Sequence, residues 1–294
     1  MKAFKLTWTI HESQDSKVLR EFLKEQHISK AALVDIKFKG GRIEVNGQEE
    51  NVRYLLKSGD NVEVFFPLET TSEGLLPENL PLDILYEDDF VLVLNKPPFV
   101  NTIPSREHPT GSIANRLAGY YQVNEIPSTV HVVTRLDRDT SGIMLIAKHR
   151  YIHHLLSEQQ KAAGVSRTYE ALVHGKLEGE NDIEEPIGRK STSIIEREVR
   201  MDGQYARTSY QVLENYQDFT HVQLKLYTGR THQIRVHMAY IHHPLLGDDL
   251  YGGSRLLINR QALHCKQLSF IHPHTNELMT FDCEMPVDMK KLIE

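Results

Sequence analysis

Apolar residues fall at helical spacing, at alternating spacing and in unbroken runs along this chain, and each pattern marks an element. Val18, Leu19, Phe22 and Leu23 form one helical face. Ser29 is placed to cap a second helix carrying Ala32, Leu33 and Ile36, with Gly40 beyond its end. Asn46-Gly47 is a two-residue hairpin turn, and Val62-Glu63-Val64-Phe65 alternates as a strand does. Further on, residues 84–86 and 90–94 are apolar and flank the turn Glu87-Asp88-Asp89, a second hairpin. Val132 and Val133 precede a polar loop and residues 143–147 follow it, so two strands hold that loop. Ile152, Leu155 and Leu156 predict a helix over 149–163, stopped at Gly164. Residues 165–177 read as a strand with Tyr169, Ala171 and Val173 on one face, and 206–214 and 220–227 as two more. A helix with Thr231 as N-cap ends by Pro244, and two last strands surround His274-Thr275-Asn276-Glu277.

These elements group into two units. The first, compact from about 15 to 66, is helix, helix, hairpin, strand, which suits a small binding module. Polar, aperiodic residues with Gly74 and Pro77 follow as a linker. The expected division is 1–68, a linker 69–80, and one large α+β domain 81–294. No internal repeat or low-complexity tract is visible.

Composition narrows the class. The chain has 294 residues, 40% hydrophobic and 25% charged, as ordinary globular proteins have. No apolar run is long enough to span a membrane, and Met1-Lys2-Ala3-Phe4-Lys5-Leu6-Thr7 lacks a signal-peptide core. A cytoplasmic protein is expected, with Cys265 and Cys283 as reduced core thiols. The net charge of −6 counts against a uniformly basic surface, so any phosphate-binding face must be concentrated locally. The 16 histidines offer no convergent metal spacing. His149 and His153 stand four apart, but Arg150 stands where a zincin needs its catalytic Glu.

Chemistry concentrates in the loop Arg135-Leu136-Asp137-Arg138-Asp139-Thr140-Ser141-Gly142. A charged loop held by buried strands is where folds present catalytic groups. An ionised carboxylate shielded there, with arginines beside it, is a nucleophile or a base. A solvated turn with surface ion pairs is the plain alternative. Asp137-x-Asp139-Thr140-Ser141 also comes near the Asp-x-Asp-x-Thr pattern of haloacid-dehalogenase-type phosphatases, with Gly247-Asp248-Asp249 as a second magnesium-binding pair. Against that, Thr134 and Arg135 separate the strand from the first Asp, and Ser141 replaces the expected Thr or Val.

Three more segments complete a pattern: Arg167-Thr168-Tyr169-Glu170-Ala171-Leu172-Val173-His174-Gly175, Gly229-Arg230-Thr231-His232-Gln233-Ile234-Arg235-Val236-His237, and His243-Pro244-Leu245-Leu246-Gly247-Asp248-Asp249-Leu250-Tyr251-Gly252. With the Asp137 loop, Asn95-Lys96-Pro97 and Leu263-His264, they closely resemble the motifs of RluA-type pseudouridine synthases, in order, over roughly 84–286. The first unit resembles the αL-type RNA-binding domain named after the fourth small-subunit ribosomal protein. The resemblance implies a mixed, mostly antiparallel sheet in the catalytic domain, preceded by a small α/β RNA-binding domain.

It further implies that uridine in structured RNA is isomerised to pseudouridine, with large-subunit ribosomal RNA favoured over transfer RNA. No cofactor or metal is needed for a redox-neutral isomerisation, and no obligatory protein partner is implied. Asp137 is then the nucleophile at the anomeric carbon, through a covalent adduct or a glycal. Arg230 is expected to pair with Asp137, and Tyr169 to stack on the extracted base and assist loss of the carbon-5 proton. Arg135 is expected to fill the gap left by the flipped base. Lys30, Lys37, Lys39 and Arg42 are the expected phosphate contacts of the first unit. The chain departs from the family at Thr134, where His is frequent, and at Arg167, where Lys is. It also departs at Phe99, where the early motif has Gly, and at Asn101-Thr102-Ile103-Pro104. A non-catalytic RNA-binding protein of this fold is the remaining alternative.

Overall fold

The computed structural model describes residues 4–70 and 74–294. Residues 1–3, the start of the N-terminal stretch read for a signal peptide, and 71–73 of the expected linker lie outside the described residues. The first elements are β1 (Lys5–Thr9), α1 (Leu19–Glu25), α2 (Lys30–Phe38), β2 (Arg42–Val45), β3 (Gln48–Glu49) and β4 (Asn61–Phe65). The four strands form an antiparallel sheet in the order β1-β4-β2-β3. The alternating Val62 and Val64 enter one core with Leu19, Phe22, Leu23, Leu33 and Ile36. Ser29 caps α2 by accepting the Ala32 N–H at 3.1 Å. Asn46 and Gly47 both take positive φ (53° and 78°), as a two-residue hairpin turn requires. Strand β1 was not anticipated, because Leu6 and Trp8 make only one alternation among polar residues. It exists because β4 offers an open edge.

The larger part contains β5 (Asp83–Glu87), β6 (Val91–Lys96), α3 (Ile113–Val123), β7 (His131–Val132), β8 (Ser141–Ala147), α4 (Arg150–Lys161), β9 (Ser166–His174), β10 (Glu180–Ile183), β11 (Ile187–Arg189), β12 (Arg197–Val199), β13 (Thr208–Asn215), β14 (Phe219–Leu226), α5 (Gln233–Tyr240), β15 (Leu263–Ile271), β16 (Leu278–Asp282) and α6 (Val287–Ile293). One ten-stranded sheet runs β10-β13-β14-β9-β15-β8-β6-β5, with β16 beside β15 and β7 beside β8. Among the described residues, only β8 and β15 pair in parallel. This is an α+β architecture with a mixed, mostly antiparallel sheet. The unbroken apolar runs of β6 and β8 are its centre: Val91 to Leu94 and Ile143 to Ala147 are fully buried.

Helix α3, α6 and strands β10 to β12 were not anticipated. For α3 the signal was available: Ser112 and Asn115 form a capping box. Helix α5 begins one residue later than expected. Its N-cap is not Thr231 but His232, in the left-handed region at φ 57°.

The small sheet is seated on the start of α4. The Phe4 ring stacks on His149 at 4.2 Å, and Phe66 lies 5.5 Å from Tyr151, whose hydroxyl donates to the Gln26 carbonyl at 2.6 Å. The Glu69 carboxylate accepts the Arg150 N–H at 2.8 Å and meets His131 Nε2 at 2.5 Å. Beyond 71–73, the Glu78 N–H donates to the Asn115 carbonyl at 2.9 Å. Both ends of this polar segment are therefore tied to the large sheet's helices and strands.

Two buried histidines make stability pH-dependent. Burial pushes His149 and His264 each down to about 4, against the weaker pull of Glu69 on the first and the Cys283 carbonyl on the second. Both stay neutral in the fold but take protons when unfolded below their ordinary value. Stability should therefore fall as pH drops from about 6.5 to 4, by up to ~2.7 kcal/mol per unit for two protons. Urea midpoints at pH 7 and pH 5 measure this, and His149→Phe should flatten the slope.

Candidate active site

The loop between β7 and β8 is held by its backbone. The Leu145 N–H donates to Thr134 Oγ1 at 2.9 Å, and the Thr102 hydroxyl donates to the Leu136 carbonyl at 2.7 Å. The Lys96 ammonium, fully buried, donates at 2.9 Å to the Arg138 carbonyl and also to the Pro97 and Val100 carbonyls. Burial pushes Lys96 down to about 7, although Asp139 and Asp137 pull the other way. Arg260, also buried, reaches the Asp139 carbonyl at 3.1 Å while clasping Asp288 of α6 with two bonds of 2.7 and 2.9 Å. Phe99 takes φ 65° where the family pattern has glycine. That departure leaves the loop's path to Thr102 compatible with the clamp.

Asp137 faces a cleft of about 540 Å³, also lined by Arg135, Arg167, Tyr169, Arg230, His232 and Arg235. Its partner is Arg235, not Arg230. Arg235 Nη1 donates to Asp137 Oδ2 at 3.1 Å, while Nε and Nη2 grip Asp248 at 2.7 and 2.8 Å. Burial opposes the Arg235 charge, but Asp248 and then Asp137 outweigh it and raise its pKa. Arg235 also lies over the Tyr251 ring at 4.9 Å. The Tyr251 hydroxyl accepts the Arg197 N–H at 2.9 Å and meets His232 Nδ1 at 2.8 Å. It thereby turns His232 Nε2 toward Asp137 at 3.8 Å. Burial lowers the His232 pKa, Asp137 raises it less, and Arg235 adds to the lowering.

The expected Arg230 pairing is thus corrected. Arg230 sits exposed at the mouth and donates to the Tyr205 carbonyl at 3.0 Å and to Gln204 Oε1 at 2.8 Å. The helical turn explains why: Arg230 precedes α5, whereas Arg235 lies inside it among buried Ile234, Val236 and Met238. An arginine flanked by such residues was a readable sign of a buried ion pair. The magnesium reading also fails on geometry. Asp248 is taken by Arg235 and Asp249 by Arg255, and among the described residues no group of three His, Cys, Asp or Glu could hold a metal.

Tyr169 is 3% exposed and lines the cleft, and burial raises its pKa, so the phenol keeps its proton. Arg135 is exposed on the cleft wall, with no side-chain partner among the described residues. Lys30, Lys37, Lys39 and Arg42 do not line the cleft. Lys30 and Lys37 are exposed, Lys39 pairs with Asp35 at 2.8 Å, and Arg42 lies over the Phe65 ring at 3.7 Å. No described helix is long and apolar enough to cross a membrane.

The family described as RNA pseudouridylate synthase matches residues 90–240. A Bacillus subtilis (strain 168) protein described as uncharacterized RNA pseudouridine synthase YjbO is 56% identical over 277 residues, covering 94% of this chain and 98% of that one. Ribosomal large subunit pseudouridine synthase D of Vibrio parahaemolyticus is 36% identical, over 86% of this chain and 82% of its own length. Human RNA Pseudouridylate Synthase Domain Containing 1 superposes with a TM-score of 0.58 at 24% identity, over 74% of this chain and 86% of that one.

The two arginines should separate in stability measurements. Arg235→Ala leaves Asp248, 1% exposed, without its counter-charge and should cost ~3–5 kcal/mol in urea unfolding. Arg230→Ala, at the exposed mouth, should cost about 1 kcal/mol or less.

Proposed function

The chain belongs to the RNA pseudouridylate synthase family, in its RluA-type branch, and we propose that Asp137 is the group that acts on the ribose of the target uridine. The observation that carries this is the pairing of Asp137 with an arginine that Asp248 already fixes. A carboxylate on the wall of a cleft roomy enough for a nucleotide, held by a preset guanidinium, is suited to attack an anomeric carbon or to take a ribose proton. Tyr169 then gives the extracted base a ring to lie against, as enzymes that flip bases do. Arg135, free on the cleft wall, takes the space the base leaves in the RNA stack. Arg230, bound to the 204–205 backbone and side chain, contributes at the entrance rather than to Asp137.

We propose large-subunit ribosomal RNA as the substrate class, because relatives such as the Vibrio protein carry that substrate in their names. The first unit, residues 1–68, is proposed to add RNA affinity through Lys30 and Lys37, with residues 69–80 joining it to the catalytic part, 81–294. Ion pairing at Lys39 and ring contact at Arg42 make those two the weaker candidates.

Pseudouridine mapping in total RNA, from cells with and without this protein, tests the function and finds the site. One or a few ribosomal positions should depend on the protein; no dependent position anywhere would refute the reading. Asp137→Asn keeps the side chain's size but not its charge. It should abolish conversion while RNA affinity stays within about threefold (~0.7 kcal/mol) of wild type.

A second test concerns salt. Each phosphate contact contributes a slope of about −0.7 to −0.9 in log affinity against log salt. Lys30→Gln with Lys37→Gln should flatten the slope by about 1.4 to 1.8 and leave single-turnover rate at saturating RNA unchanged. An unaltered slope would remove the RNA-binding role from α2.

A further inference from the structure

One buried charge in the cleft has no partner. Arg167 of β9 is 7% exposed and lines the cleft on the same face of its strand as Tyr169. Its Nε finds no hydrogen-bond acceptor, and no carboxylate lies within 4.0 Å of its guanidinium among the described residues. Neighbouring strands place Leu226 and Leu268 beside it in register, so the sheet supplies nothing polar in return. Gly229 closes over the guanidinium: a Cβ there would stand 3.1 Å from Nη2. A guanidinium stays charged at working pH, and burying it unpaired is costly. Every other buried arginine of this region is matched, Arg235 by Asp248 and Asp137 and Arg260 by Asp288. A charge left unmatched in a cleft points to a ligand that brings the missing negative charge.

We infer that Arg167 binds the carbonyl edge of the extracted uracil and stabilises the negative charge that the base acquires when its bond to ribose breaks. The inference rests on the reading of the cleft as a uridine-isomerising site. When the C1′–N1 bond breaks, its electron pair goes with the base, and the charge spreads over N1 and the two carbonyl oxygens. In the adduct route an Asp137 oxygen bonds to C1′; in the glycal route the C2′ proton passes to that carboxylate. The base then bonds through C5 to C1′, and Asp137 is released or returns the C2′ proton. Forming that bond uses the base's extra electron pair and leaves the base neutral; the C5 proton is then lost as N1 gains one. Negative charge on the base thus exists only between the two bonds, so a donor fixed beforehand favours that interval over bound uridine. Depth argues for the base over the backbone: phosphates remain at the wet entrance, where exposed Arg135 and Arg230 stand, while Arg167 is reached only by what enters the cleft.

The test uses the full chain and the stem-loop bearing the uridine found by mapping, in single turnover. Arg167→Gln should slow conversion by about 100-fold or more, the scale of losing one such donor, with RNA affinity changed less than threefold. Arg167→Lys should fall between. The melting temperature of Arg167→Gln should hold or rise, because an unpaired buried charge is removed. A structural arginine would instead lower it. Sulfur is a weak acceptor, so 2-thiouridine or 4-thiouridine at the target should slow wild type at least tenfold and slow Arg167→Gln no further. Rates within threefold of wild type, or sulfur penalties unchanged in the variant, would overturn the inference. So would non-additivity with a methylphosphonate at the target phosphate, which would move the contact to the backbone. If wild-type protein converts no RNA at all, the reading of the cleft falls first; if it converts RNA and only these arms fail, Arg167 alone is misassigned.

Discussion

The Asp248–Arg235–Asp137 chain is the interaction on which the site depends. Asp248 uses both oxygens to fix two nitrogens of Arg235, which leaves Nη1 aimed at Asp137 with little freedom to move. The pair Arg235–Asp248 is almost wholly out of water, so it offers more to geometry than to net stability. Its consequence is a carboxylate whose counter-charge is set before any RNA arrives. Such preset charge requires no rearrangement during reaction.

A second constraint acts on the loop itself. Thr102, Lys96 and Arg260 hold the carbonyls of Leu136, Arg138 and Asp139 from three different parts of the chain. The loop therefore owes its shape to residues distant in sequence, including Asp288 of the last helix through Arg260. Buried Lys and Arg are costly unless their donors are used, and here backbone carbonyls and the Asp288 carboxylate use them. Among the buried arginines of the cleft in the described residues, Arg167 is the exception, and it lies where a ligand can complete it.

The small sheet meets this machinery indirectly. Phe4, Phe66 and Tyr151 form an aromatic seam at the start of α4, and Glu69 binds the same helix start together with the strand that leads into the Asp137 loop. Burial pushes Glu69 up, but the His131 hydrogen bond, nearby His149 and the Arg150 N–H together bring it down to about 2. The latch is thus anionic throughout the physiological range. A surface that holds RNA on α2 would be set at a defined position relative to the cleft rather than on a loose tether.

Much of this was legible in the sequence because it is local. Periodicity located the helices at 19 and 150 and the two central strands. Asn46-Gly47 fixed its hairpin, and the motif segments identified the family and the loop of Asp137. Elements with weak local preference, such as β1 and β10 to β12, depend on an edge to pair with, which no window of sequence contains. The same limit governed the site. Gly229 to His237 offers two arginines five residues apart, and only the start of α5 at His232 decides that the second turns inward to Asp137 and Asp248 while the first remains at the mouth. Sequence determined which charged residues this protein carries near its cleft. Tertiary structure decided which of them are paired, because pairing depends on distances between strands and helices tens of residues apart.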